Sequence, residues 1–471
     1  MWKGRFSEKT SDIVLKFTQS LDLDWCMAVY DIAGSIAHAE MLASIGILTE
    51  EEKQLVVNGL LEVRNEIMNG TMIPSVEFED VHMNIENRLT ELVGPAGAKL
   101  HSGRSRNDQI ATTFRLFLRD KLVNVGYMLE ELMKTFMERA ETHNGLIIPG
   151  FTHLQQAQPI NMGHYWMSHF NSLLRDSKAL IHTLETNDES PLGSGALAGS
   201  TLPLDREMTA ELLNFSEVSS NSLDSVSNRD HILDYHYFAS RFMLHCSKLC
   251  EDLVIYSSQE FGWVILPDAF CTGSSMMPQK KNPDILELVR GKSGQVTGSL
   301  FDLMMLIKGL PSTYNRDMQE DKRGFLSSVM TVEAVMEVMN ALISEVEVNT
   351  DMAFQGSKSG FCLATDVAEY LVMKGIPFRD AHWKVGRLVK WCLDNNVDLA
   401  ELSMKEWKEQ IPEAEEDLLK LMTLEASVKR RNTTGGTSPE SVRRQLQEGK
   451  KKLAIFMEKL QSYETDLFHG E

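Results

Sequence analysis

Phe325-Leu-Ser-Ser-Val-Met-Thr-Val-Glu-Ala-Val-Met-Glu-Val-Met-Asn-Ala-Leu-Ile-Ser-Glu-Val346 sets its core-forming side chains at Phe325, Val329, Val332, Met336, Met339, Ile343 and Val346. The steps alternate between four and three residues. That rhythm keeps all of them on one stripe of an α-helix, whereas a strand would throw them to both faces. Phe242, Cys246, Leu249, Leu253 and Tyr256 repeat the pattern further upstream. Both stripes read as buried seams between packed helices.

Proline spacing gives such helices room. None occurs between Pro95 and Pro149, between Pro203 and Pro267, or between Pro311 and Pro377. Each interval holds several uninterrupted turns. The 26 methionines fit the same picture, as soft filler of long helix interfaces rather than metal ligands. No sustained run of alternating β-branched residues appears, and no Asn-Gly or Asp-Gly hairpin sits between such runs. The expected class is all-α, with a long central helix bundle that also packs against other subunits.

At 471 residues, two or three domains are expected. We expect three, at 1–104, 105–357 and 358–471. The balance of 47 basic against 67 acidic residues gives a net charge of −20, which disfavours nucleic acid as a partner. The basic stretch from Lys429 to Lys452 lacks interleaved aromatics and reads as a solvated helix face. No apolar run of about 18 residues suggests a membrane span. Met1-Trp-Lys-Gly-Arg-Phe6 has no apolar core or cleavage site, so no secretory signal is expected there. Cys26, Cys246, Cys250, Cys271, Cys362 and Cys392 form no CxxC pair, which points away from zinc and from a disulfide framework and towards a reducing, cytoplasmic setting.

Three segments interrupt the helical pattern with chemistry-bearing residues; a fourth, from Pro191 to Pro203, is glycine-rich without a concentration of such groups. His101-Ser-Gly-Arg-Ser-Arg-Asn-Asp-Gln109 offers two guanidinium forks for a carboxylate, or equally a helix start with capping serines. Gly150-Phe-Thr-His-Leu-Gln-Gln-Ala-Gln-Pro159 sets His153 among hydroxyl and amide groups, suited to proton transfer or to a structural role. Gly273-Ser-Ser-Met-Met-Pro-Gln-Lys-Lys-Asn-Pro-Asp284 reads either as a pliable strip followed by groups that stabilise negative charge, or as a surface linker. Glu287, one to two turns into the following helix, is placed to orient a histidine delivered from elsewhere.

Taken together, the three segments resemble those of the fumarase/aspartase superfamily, whose signature matches Gly273-Ser-Ser-x-Met-Pro-x-Lys-x-Asn282. Within it, the argininosuccinate lyase family is the closer likeness. That likeness is carried by His101–Gln109, Thr152-His-Leu-Gln155 with Ala157-Gln-Pro159, and Gln279–Asp284. Gly309-Leu-Pro-Ser-Thr-Tyr-Asn-Arg-Asp317, Gln319-Glu-Asp-Lys322 and Ala364-Thr-Asp366 add to it. It runs from Trp2 to about Thr437. Asn228 and His231 stand where an acidic residue and an aromatic are expected, and Ala426–Arg431 matches loosely.

The resemblance implies reversible elimination of argininosuccinate to L-arginine and fumarate, a carbon–nitrogen lyase reaction of arginine biosynthesis passing through an aci-carboxylate carbanion. It assigns catalysis to Ser274, His153, Lys280, Glu287 and Thr152. Substrate binding falls to Ser20, Arg106, Asn107, Thr152, Asn282, Tyr314, Gln319 and Lys322. No metal or organic cofactor is implied. The implied assembly is a homotetramer whose active sites are each shared by three subunits, with neither nucleic acid nor membrane as partner. An adenylosuccinate lyase-like elimination shares the Gly273 signature but lacks a match around Arg106 and Tyr314. A non-catalytic, crystallin-like structural protein is the other alternative.

Overall fold

The computed structural model describes residues 11–468, so the segment read at Met1–Phe6 lies outside the described residues. Helices α1 (Ala28–Ser44), α2 (Glu50–Met68) and α3 (Val81–Val93) enclose a first core around Ile32, Leu42, Leu60 and Leu89. α2 opens on a capping box in which Thr49 and Glu52 satisfy each other's backbone N–H.

Five long helices follow: α4 (Arg106–Thr142), α5 (Met162–Asn187), α6 (Asp230–Tyr256), α7 (Asp284–Ile307) and α8 (Asp321–Glu345). α4 packs on α5, and α6 packs on α7. Their common core contains every residue of the opening seam, from Phe325 to Val346, together with Phe242, Cys246, Leu249 and Leu253. Phe325 meets Phe114 and Tyr235 edge-on, at centroid distances of 5.2 and 4.8 Å. By composition the helical stretch 316–345 is also long and apolar enough for a bilayer, but its stripe faces the bundle.

Beyond the bundle, α9 (Thr350–Lys358), α10 (Ala364–Met373) and α11 (Phe378–Asn395) lead into another core, around Val367, Leu388, Trp407 and Leu418. The last long helix, α12 (Pro439–Gln461), returns to the central core through Val442, Leu446, Phe456 and Leu460.

The class is all-α, with short strand pairings in two segments that carry no strand signal in the sequence. β1 (Ile147–Thr152) and β2 (Gln155–Asn161) form an antiparallel hairpin. The usual turn signal is missing because His153 and Leu154, at φ 57° and 54°, occupy the positions that normally go to Asn-Gly. Pro149 lies directly opposite Pro159. Two residues without an N–H fit together only where the ladder makes no hydrogen bond, so the prolines mislead a reader looking for strands. A smaller antiparallel pair, β3 (Thr272–Gly273) with β4 (Lys281–Asn282), closes the third segment at its base.

Candidate active site

The bundle has two ends, and the predicted residues divide between them. At one end α4 begins. Ser105 caps it reciprocally with Asp108, which fixes Arg106 as the first helical residue. The Arg106 guanidinium lies 3.3 Å from Asp80 and 3.6 Å from Glu86, and it donates to Gln109 at 2.6 Å. Asn107 donates to the Ala196 carbonyl at 3.0 Å.

Ser20 is buried at the same end, and its hydroxyl donates to Asp24 at 2.6 Å. Asp24 also accepts the Val81 N–H at 3.2 Å. Burial outweighs the pull of His82 and of the Ser20 hydroxyl, and the Asp24 carboxyl is pushed up to about 6. Lys322 contributes a smaller downward pull on the same carboxyl, which brings the start of α8 alongside Ser20.

Lys322 itself is buried and donates to Asp321 at 2.8 Å, with its ammonium 5.5 Å above the Phe114 ring. The other Asp321 oxygen takes the Arg229 guanidinium. Burial opposes the Asp321 charge, yet the two cations outweigh it and hold the carboxyl below its usual range. Gln319 donates to the Thr18 carbonyl at 3.2 Å, and Arg316 reaches the same oxygen at 2.7 Å. Half-buried Tyr314 has its phenol pKa raised, first by burial and then by Asp321.

Ser20, Arg106, Asn107, Tyr314, Gln319 and Lys322 therefore share one polar end. Asp24, Asp80, Arg229 and Asp321 brace this end through Ser20, Arg106 and Lys322. None of the four has a role legible in sequence, although Asp321 lies within the motif Gln319-Glu-Asp-Lys322. Asp80 is the N-cap of α3, and Asp24 lies in a first helical turn. Each looks like an ordinary helix-start acid in sequence.

The other end holds the hairpin and the third segment. The Phe151 ring lies tilted against Trp263 at 5.2 Å and Phe261 at 6.0 Å, which joins the hairpin to the stretch leading into the third segment. Thr152 and His153 are exposed at the hairpin tip. Between β3 and β4, the half-buried Ser274 oxygen accepts the N–H groups of Met276 at 3.3 Å and Met277 at 3.0 Å. Two donors aimed at one hydroxyl oxygen lower the energy of its alkoxide. Lys281 is tied to Asp268 and to the Leu266 carbonyl, while Lys280 is exposed on the loop. Asn282 is half-buried in β4, and Glu287 is exposed on the first turns of α7.

These two ends are far apart. α4 has 37 residues, and a helix of that length spans about 55 Å. Arg106 opens it, and the hairpin with His153 follows its far end. α7, with 24 residues, separates Asn282 from Tyr314 by about 35 Å. One chain gathers each half of the predicted site but does not bring the halves together.

Residues 4–298 match the lyase family, and residues 361–429 match the argininosuccinate lyase C-terminal family. The argininosuccinate lyase of Geobacter sp. (strain M21) is 47% identical over 450 residues, which is 96% of this chain and 98% of that protein. That of Hahella chejuensis (strain KCTC 2396) is 48% identical over 443 residues, covering 94% and 95%. Among solved structures, EDDS lyase in complex with formate superimposes with a TM-score of 0.85 at 26% identity, covering 94% of this chain and 90% of that one.

Proposed function

The chain belongs to the argininosuccinate lyase family, and from that premise we propose how its residues split argininosuccinate reversibly into L-arginine and fumarate. The observation that carries the reading is near-full-length identity of 47% to an argininosuccinate lyase. The two-ended distribution of polar groups gives it a chemical form.

A base removes a proton from the carbon beside a carboxylate. The electron pair left behind resides on that carboxylate as a dianion, then forms the double bond of fumarate as the C–N bond breaks. The departing guanidino nitrogen keeps the pair of that bond and takes up a proton. Ser274 is the base, supported by the two N–H groups that its oxygen already accepts. Lys280 and Asn282 stabilise the dianion; one preorganised donor contributes roughly 3 kcal/mol, about a hundredfold in rate. His153, oriented by Glu287 and relayed through Thr152, manages the proton on the leaving group. Ser20, Arg106, Asn107, Thr152, Asn282, Tyr314, Gln319 and Lys322 hold the substrate.

The active unit is a homotetramer whose sites each draw on three subunits. The span of α4 supports this, since a small substrate cannot bridge about 55 Å. So do Phe301, Met305 and Met330, which are 60%, 62% and 68% exposed on the rigid helices α7 and α8 of a single chain. The proposed division at 104/105 and 357/358 is supported by the separate cores around Leu60 and Trp407, although α12 packs back onto the central core and the second boundary falls in the last turn of α9. A cytoplasmic setting accords with six free thiols among the described residues.

Absorbance of fumarate formed from argininosuccinate, with adenylosuccinate as the comparison, tests the reaction; release from adenylosuccinate alone would overturn it. Exchange of the substrate's Cβ proton with solvent tests the base. It should survive His153→Asn and vanish in Ser274→Ala, and the reverse pattern would exchange the two roles.

A further inference from the structure

Gln156 follows the hairpin turn by two residues and reaches away from it. Its Nε2 donates to the Gly356 carbonyl at 2.8 Å, and its Oε1 accepts from the Ser359 hydroxyl at 2.6 Å. Gly356 lies in the last turn of α9, where helix carbonyls have lost their internal donors. The Ser359 hydroxyl also lies 3.0 Å from the Gly356 carbonyl, so the amide and the hydroxyl together close the end of the helix while the amide fixes its own strand. The chain wraps closely around it. A Cβ at Gly360, where φ is +73°, would lie 2.6 Å from the Gln156 oxygen, so only glycine passes there without a shift.

The turn held in this way is strained. His153 and Leu154 both adopt left-handed backbone without glycine's freedom. Such conformations persist only where surrounding structure over-determines them. β1 packs along α9, but apolar contact is non-directional and leaves tilt and twist undetermined. An open groove of about 420 Å³, lined by Phe151, Gln156, Trp263, Met352 and Gly356 among others, also runs alongside the hairpin. Packing on that side is open, and two directional hydrogen bonds anchor β2 next to the tip, adding to the ring contacts of Phe151.

We propose that Gln156 is a positioning residue for the elimination, clamping the hairpin to the end of α9 so that the strained turn presents His153 at a fixed angle. This rests on the role given to His153 above. Gln156→Met keeps the length of the side chain and removes both bonds. Gln156→Glu keeps the acceptor for Ser359 and loses the donor to Gly356.

Steady-state kinetics of the tetramer, with thermal midpoint and oligomeric state measured in parallel, provide the test. Gln156→Met should lower kcat about tenfold, because small misplacements of a reacting group act on the rate, with KM within about twofold and the midpoint nearly unchanged. Gln156→Glu, which turns a carboxylate oxygen towards the Gly356 carbonyl, should lower kcat at least as far as Gln156→Met. Ser359→Ala should lower kcat in the parent but add little in Gln156→Met, since both act through one clamp. An unchanged kcat in Gln156→Met overturns the proposal. So does a loss that tracks unfolding and disappears at lower temperature. His153→Asn, assayed alongside, separates the two layers: if it retains full kcat, the role of His153 is what has failed.

Discussion

Asp24 shows at the scale of one residue how burial tunes the polar end of the bundle where α4 begins. Its carboxyl is buried beside Ser20 and stands at about 6, against an ordinary 3.8. A carboxyl with a raised folded pKa binds its proton more tightly in the native state. Its contribution to stability is therefore least favourable above pH 6 and is relieved as the pH falls towards 4. The separation corresponds to about 3 kcal/mol between those limits. Asp24→Asn removes the titration, so its stability relative to the parent should improve by about that amount between pH 4 and pH 8. Urea unfolding at the two pH values measures the difference; a constant offset would mean that Asp24 does not titrate in this window. Lys322 enters through an ion pair instead. Lys322→Met leaves buried Asp321 with Arg229 as its remaining cation, so the cost lies at or below about 3 kcal/mol, the lower end for a buried charge left without any partner. Unfolding curves should show a loss of that order, together with a raised KM. A wild-type KM would remove Lys322 from the substrate contacts.

At the scale of elements, the helices were legible and the hairpin was not, for physical reasons. The four-three stripe from Phe325 to Val346 is buried along its length because a 3.6-residue period has one possible inner face. The hairpin has no equivalent signature: its turn is His153-Leu154, and its strands carry glutamines and prolines. Site residues divide similarly. Motif-bearing Ser274 and His153 stand out in sequence, whereas Asp24, Asp80 and Arg229 acquire meaning only from neighbours that folding supplies. Helix packing was also invisible in one further respect. Gly126, inside α4, lets Leu460 of α12 approach so closely that an added Cβ would lie 2.5 Å from its side chain. Gly126→Val should therefore destabilise by about 1–3 kcal/mol through overpacking. Leu460→Ala in the same chain should recover part of that loss, as a double-mutant cycle in urea can show. Equal costs in the presence and absence of Leu460 would place the strain elsewhere.

At the scale of the whole molecule, the decisive quantity is the length of α4. Arg106 opens a 37-residue helix, and His153 lies past its other end, at the turn of the hairpin that follows. If both serve one substrate, they must come from different chains, and that requirement can be tested by counting. Arg106→Met disables one end of every subunit and His153→Asn the other, so each variant alone should be inactive. In tetramers reassembled from an equal mixture, a site needs its Arg106 from one parent and its His153 from the other. With random assortment about a quarter of sites satisfy both conditions. The mixture should recover roughly that fraction of parental kcat per site, with KM unchanged because the recovered sites are fully native. Mixing without subunit exchange should recover nothing, and subunit-exchange kinetics followed by a fluorescent label distinguish the two cases. If labelled subunits exchange and activity still does not return, the two residues act within one chain, and the division of labour between the bundle's ends would have to be abandoned.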